Sequence, residues 1–158
     1  MRKLTRTEIE ACGAAMPETM RFHDQLVGSK LIRATGRRGR TQPPPVLYFD
    51  DGGCLRTQFD DECNPGETEW MICDAQGHTM NVVKLTDLIG LPVTGIGYLL
   101  DPDNDLRPVI PYVEIAESFH VCAICREGGA VICHHRAQDD SWDLLCELKP
   151  KTQTKGKS

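Results

Sequence analysis

Residues 120–146 read HVCAICREGGAVICHHRAQDDSWDLLC and hold four of the eight cysteines and three of the five histidines. Valine and isoleucine alternate with the sulfurs and imidazoles, and Glu127-Gly128-Gly129 and Gln138-Asp139-Asp140 break the run. That pattern predicts strands over 120–126, 130–136 and 142–148, a C-terminal three-stranded meander. Folding the first hairpin across Gly128-Gly129 sets Ile124 against Cys133 and Cys122 against His135. Strand alternation then turns Cys125 to the face opposite Cys122. Trp142, like Trp70, is expected in or beside the core.

The same residues suit a metal. Two thiolates at Cys122-x2-Cys125 are a common zinc half-site, and Cys133 and His135 would complete a tetrahedron of soft and imidazole donors. Cys122-Ala-Ile-Cys125, followed by Gly128-Gly129-Ala-Val-Ile-Cys133, resembles the opening of a PHD finger, a zinc module that binds histone tails. No second Cys pair and no His-x2-Cys ending follow. Cys122-x2-Cys125, His134-His135 and Leu144-Leu145-Cys146 resemble an HNH nuclease. That resemblance implies His135 as the base that activates water and His134 as a metal ligand. The asparagine of that family is absent, and no Cys-x2-Cys-His closes the motif. Each resemblance spans fewer than thirty residues. Plain sheet is the first reading of the cluster, structural zinc the second. A Cys-His nucleophile built from Cys133 or Cys122 with His135 is the third.

Outward from the cluster the chain reads as hairpins. Residues 46–49 and 54–59 flank Asp50-Asp51-Gly52-Gly53, and 69–73 and 78–85 flank Asp74-Ala75-Gln76-Gly77. Residues 95–100 and 107–115 flank Asp101-Pro102-Asp103-Asn104-Asp105. Asp-Gly and Gly-Gly pairs favour the tight turns that match strand twist. Thr86 is expected to cap one short turn over 87–90. Helices are expected only at the front. Thr5-x-x-Glu8 and Thr7-x-x-Glu10 are capping-box patterns, and a second short helix is expected over 18–27 between Pro17 and Gly28. The expected fold is therefore mainly β with antiparallel hairpins and one or two short N-terminal helices. A sandwich, an open barrel or a curved sheet would each satisfy it.

With 158 residues and 40% hydrophobic content, the chain suffices for one domain over 1–148, with 149–158 a disordered basic tail. No apolar run reaches the ~18 residues of a membrane helix. The basic first residues lead into no apolar stretch, so a cytoplasmic protein with reduced cysteines is expected.

The formal charge of −5 is uneven: ten basic against six acidic residues up to position 56, four against seventeen over 57–148, and four lysines without an acid thereafter. An acidic β-rich surface of that kind suits docking on a basic protein. The residues picked out for partner contact are Asp60, Asp61, Glu62, Asp101, Asp103 and Asp105, with Arg37, Arg38 and Arg40 in a Gly/Pro-bounded loop. Nucleic-acid contact through Arg37–Arg40 is the lesser reading, because no aromatic residues interleave with the arginines to stack bases. Asp101-x-Asp103-x-Asp105 starts like a calcium loop but carries Leu106 where a glycine belongs. No phosphate-binding loop, nucleophile elbow or metalloprotease helix is present. The sequence thus points to a small non-enzymatic binding protein of inhibitor, immunity or accessory type, with no cofactor. A zinc-stabilised module and a Cys/His enzyme are the alternatives.

Overall fold

A computed structural model describes residues 1–11, 16–35, 46–58, 68–104, 108–125, 128–129 and 131–145. The short leading helix α1 (Arg6–Ala11) begins where the capping box predicts: Thr5 N donates to Glu8 Oε1 at 2.9 Å and Glu8 N to Thr5 Oγ1 at 3.2 Å. The second expected helix is split into a 3-10 turn, Pro17–Thr19, and a single turn α2 (His23–Leu26). Gly28 follows α2 at φ 99°, a conformation that glycine adopts without steric cost.

Among the described residues the strands form two antiparallel sheets, so the mainly β expectation holds. One sheet has the order β1 (Arg2–Lys3), β6 (Val93–Leu100), β7 (Val109–Ile115), β8 (Phe119–Cys125), β5 (Thr68–Cys73), with β9 (Gly128–Gly129) paired to the end of β8. The other has the order β11 (Ser141–Leu145), β10 (Val131–Arg136), β4 (Cys54–Gln58), β3 (Val46–Phe49), β2 (Leu31–Ala34). The main core lies between them: Trp70, Tyr98, Val113 and Val121 of the first sheet meet Leu47, Phe49, Leu55 and Ile132 of the second. Phe22, Leu26 and Leu88 complete the same core. Where the chain leaves one sheet for the other, the buried hydroxyls of Thr57 and Thr68 satisfy each other at 2.8 Å.

The first sheet buries its second face as well. Cys73, Leu99, Ile110, Tyr112 and Cys122 form a separate apolar cluster there, packed by Met1, Met71 and Ile124. The sheet curls to achieve this. Met1, beside the β1 edge, lies so close to the turn after β5 that a Cβ at Gly77 would fall 2.6 Å from the Met1 Cβ. Gly77 has φ 86°, so both its conformation and its missing side chain are needed. Tyr112 similarly lies across Gly97, where an added Cβ would meet its hydroxyl at 2.5 Å.

Three expectations need correction. The C-terminal meander does not form: β8 belongs to the first sheet and the β10–β11 hairpin to the second. Gly128 and Gly129 pair with Cys125 and Ile124, and the chain then passes to the other sheet, where Cys133 faces Arg56 and Leu144 and His135 faces Cys54 and Trp142. Local propensity is the same for either arrangement; non-local pairing decides between them. Residues 78–85 are not a strand. A single bridge, Cys73 to Thr79, follows the Asp74–Gly77 turn before a 3-10 turn at Leu85–Leu88, which is capped at Lys84 and so contains Thr86 instead of starting after it. Trp142 is 45% exposed rather than in the core, because it occupies an outward position of the terminal strand β11.

Candidate functional site: the open face of the five-stranded sheet

The outer face of the second sheet carries one continuous row. Register pairs Arg33 with Tyr48, Tyr48 with Cys54, Cys54 with His135 and His135 with Trp142, so these five side chains cross all five strands in line. Side chains so placed in adjacent strands stand near enough to touch. The Arg33 guanidinium lies over the Tyr48 ring at 5.0 Å. At the other end the Trp142 ring meets His135 at 4.7 Å and carries the Arg56 guanidinium at 4.4 Å. Both guanidiniums are laid over rings, an arrangement that holds flat side chains in place on an open surface. Leu144, two residues beyond Trp142 on the same face, is 51% exposed. His135 is further fixed by Asp140, with Nε2 to Oδ1 at 2.6 Å.

Alternation turns the neighbouring His134 inward. His134 and His135 therefore lie on opposite sides of the sheet, and the paired-histidine arrangement of the nuclease resemblance does not form. Cys122 lies in the closed interior of the first sheet, whereas Cys133, itself buried, and His135 project from the opposite side of the second. The set Cys122, Cys133 and His135 is thus not brought together, and the Cys125 side chain is outside the description. Among the described residues no group of three or more His, Cys, Asp or Glu could hold a metal ion. The Cys122–His135 nucleophile pair fails for the same reason.

Of the residues expected to meet a partner, Asp60, Asp61, Glu62, Asp105, Arg37, Arg38 and Arg40 lie outside the described residues. Asp101 and Asp103 sit in the β6–β7 connection, where Asp101 Oδ1 accepts the Asp103 amide at 3.1 Å and Asp103 is exposed. The row on the second sheet leaves little trace in the sequence. Its signal is weak there, because Arg33, Tyr48, Cys54, His135 and Trp142 meet only through register.

A second polar group lies inside the curl of the first sheet. His120, fully buried, places Nε2 3.1 Å from Glu114 Oε2. Glu114 also accepts from Lys3 Nζ at 3.3 Å and from Thr94 Oγ1 at 2.9 Å. Burial pushes the Glu114 carboxyl up, but Thr94, Lys3 and His120 together bring it below its ordinary value. Burial is the main cause that pushes His120 down, with Lys3 adding to it while Glu114 opposes. This group braces β1, β6, β7 and β8 against one another.

No protein-family model, curated protein or solved structure matches the chain. Among the described residues no helix is long and apolar enough to cross a membrane.

Proposed function

We propose that this chain is a non-enzymatic binding protein of the inhibitor, immunity or accessory kind. It docks on another protein through the open face of the five-stranded sheet. The observation that carries this reading is the position of Trp142: a large ring, 45% exposed, held by Arg56 and His135 and flanked by exposed Leu144. Tryptophan and arginine dominate the few residues that supply most binding energy in protein interfaces, and a ring already held in place loses little entropy on binding. A scattered exposed leucine needs no explanation, but an anchored aromatic–aliphatic pair, each side chain about half exposed, suits an interface centre.

The partner presents an apolar contact to Trp142 and Leu144 and is basic overall, its basic groups lying outside the row that holds Arg33 and Arg56. The net charge of −5 favours such a partner at long range. The exposed Asp103 contributes to the rate of approach, as rim charges do, more than to the strength of the complex. The test is site-specific photocrosslinking in extract of the native host. A photoreactive residue at position 144 is expected to capture one protein that the same probe at position 103 captures poorly. Purified, that protein should bind the wild-type chain and lose binding to Trp142→Ala. Capture from both positions alike, or unaltered binding of the variant, contradicts the reading.

A further inference from the structure

On the opposite side of the same strand, His134 borders a cavity of about 210 Å³ lined by Gln25, Asp51, Gly53, Arg136, Ala137 and Gln138. His134 is 1% exposed, and neither ring nitrogen has a hydrogen-bond partner among the described residues. Arg136 Nε is likewise buried without a partner, although its Nη2 reaches Asp139 at 3.4 Å. A buried imidazole without protein partners must be satisfied from the cavity it borders, by water or by a ligand. Phe22 supports one side of the imidazole at 5.2 Å.

Only a glycine fits where the cavity wall closes in. A Cβ at Gly53 would come within 2.9 Å of the His135 carbonyl oxygen, 3.0 Å of His134 Nε2 and 3.2 Å of Asp51 Oδ1. The imidazole and the carboxylate therefore converge on the same small space. The hydrogen bond from Gly53 N to Asp51 Oδ1, 2.8 Å, fixes the carboxylate there. The wall is fixed from behind too: Asp143, the register partner of His134, is held through Oδ1 by Arg21 at 2.9 Å.

The volume limits the occupant. At about 210 Å³, and open to solvent past the exposed Asp51, Ala137 and Gln138, the cavity lies below the ~300 Å³ at which pockets for drug-sized ligands begin, which suits a small occupant. The lining charges also limit it. Arg136, whose Nη2 is already met by Asp139 while its buried Nε is not, and Asp51 line the cavity, with two amide side chains and an imidazole that offers one donor and one acceptor when neutral. An anion alone would leave Asp51 opposed to it, and a cation alone would oppose Arg136.

We propose that this cavity binds a small zwitterion of free amino-acid size, with its carboxylate on Arg136, its ammonium on Asp51 and the His134 imidazole hydrogen-bonded to it. The site does not depend on the docking face: it opens on the other side of β10 and uses none of the row residues.

The test uses the whole chain labelled with nitrogen-15 at pH 7. Glycine, serine and glutamine are titrated separately, with acetate and methylammonium as single-charge probes. The His134 ring nitrogens and the Gly53 and Ala137 amides should shift and saturate with at least one amino acid, and both single-charge probes should bind at least about tenfold more weakly. Arg136→Gln and Asp51→Asn should each weaken the bound amino acid by a similar factor while the remaining amide spectrum stays that of the folded protein. Absence of saturable shifts with all three amino acids overturns the proposal. So does acetate or methylammonium binding as well as the zwitterions. The wild-type titration decides even if a variant fails to fold.

Discussion

The Sγ atoms of Cys73 and Cys122 stand 3.8 Å apart, both fully buried, on the paired strands β5 and β8. Register sets Cys73 opposite His120 and Cys122 opposite Met71, so the thiols meet diagonally across the ladder inside the curl of the first sheet. Cys122 donates to Cys73, and also reaches the His120 carbonyl at 3.5 Å. This contact lowers the Cys73 thiol from its ordinary value and, with burial, raises Cys122. Cys54, half-buried on the open face of the other sheet, is raised by its own burial.

Accessibility should separate these thiols. Brief alkylation of the native protein under reducing conditions, read peptide by peptide by mass spectrometry, is expected to modify Cys54 while Cys73 and Cys122 stay unmodified until denaturant is added. Local burial sets that order, because reagent reaches an enclosed thiol only through opening of the structure. Modification of Cys122 as fast as Cys54 would show that the curl is not closed.

The two tryptophans should differ as sharply. Trp70 is 9% exposed in the main core, and Trp70→Ala is expected to cost about 3–5 kcal/mol. Trp142→Ala removes only a surface ring with its Arg56 and His135 contacts, a loss of about 1 kcal/mol or less. Denaturant midpoints of the two variants check this. Equal losses would place Trp142 in the core after all.

Glu114 gathers Lys3, Thr94 and His120 on its two oxygens, and Glu114→Gln should therefore destabilise by about 1–3 kcal/mol, because the amide loses the charge attraction to Lys3 and its NH2 end cannot accept. Thermal unfolding of that variant beside Glu117→Gln, on an exposed residue, supplies the comparison. Equal stability of the two variants would show that the group inside the curl contributes nothing.

Acid should weaken the fold in two stages. His134 and His120 both have folded values below 6.5, burial being the main cause in each. The unfolded chain therefore binds more protons once pH drops below 6.5, so stability is full above that value and falls as pH declines towards the folded values. Glu114, lowered from 4.5, adds a further loss when pH falls below 4.5. His134→Phe removes one titrating imidazole, and the slope of stability between pH 6.5 and 5 should fall by up to about 1.4 kcal/mol per pH unit. An unchanged slope would mean that His134 does not titrate out of its folded environment.

Local signals in the chain were legible where local chemistry decides. Thr5 and Glu8 cap a helix as their spacing requires, Asp50 to Gly53 join β3 to β4, and Gly77 closes the turn after β5 at positive φ. The class of fold followed from these. What did not follow was partnership between distant strands. Ile124 and Cys133 alternate as hairpin partners would, yet Ile124 pairs with Gly129 and Cys133 with Arg56 and Leu144. Alternation also says that His134 and His135 face opposite ways, but not which one faces the core. That depends on Leu55, Ile132 and Leu145 sharing the inward side with His134. The open row and the cavity both rest on this single assignment, so neither was visible before the sheets were in place.

The docking reading is tested most directly by the dissociation constant of the complex between the purified partner and this chain, wild type against Trp142→Ala, with the variant first shown to unfold near the wild-type temperature. An interface centred on Trp142 predicts binding weaker by about 30-fold or more, the effect of losing a contact worth at least about 2 kcal/mol. A folded Trp142→Ala chain that binds within about threefold of wild type contradicts it.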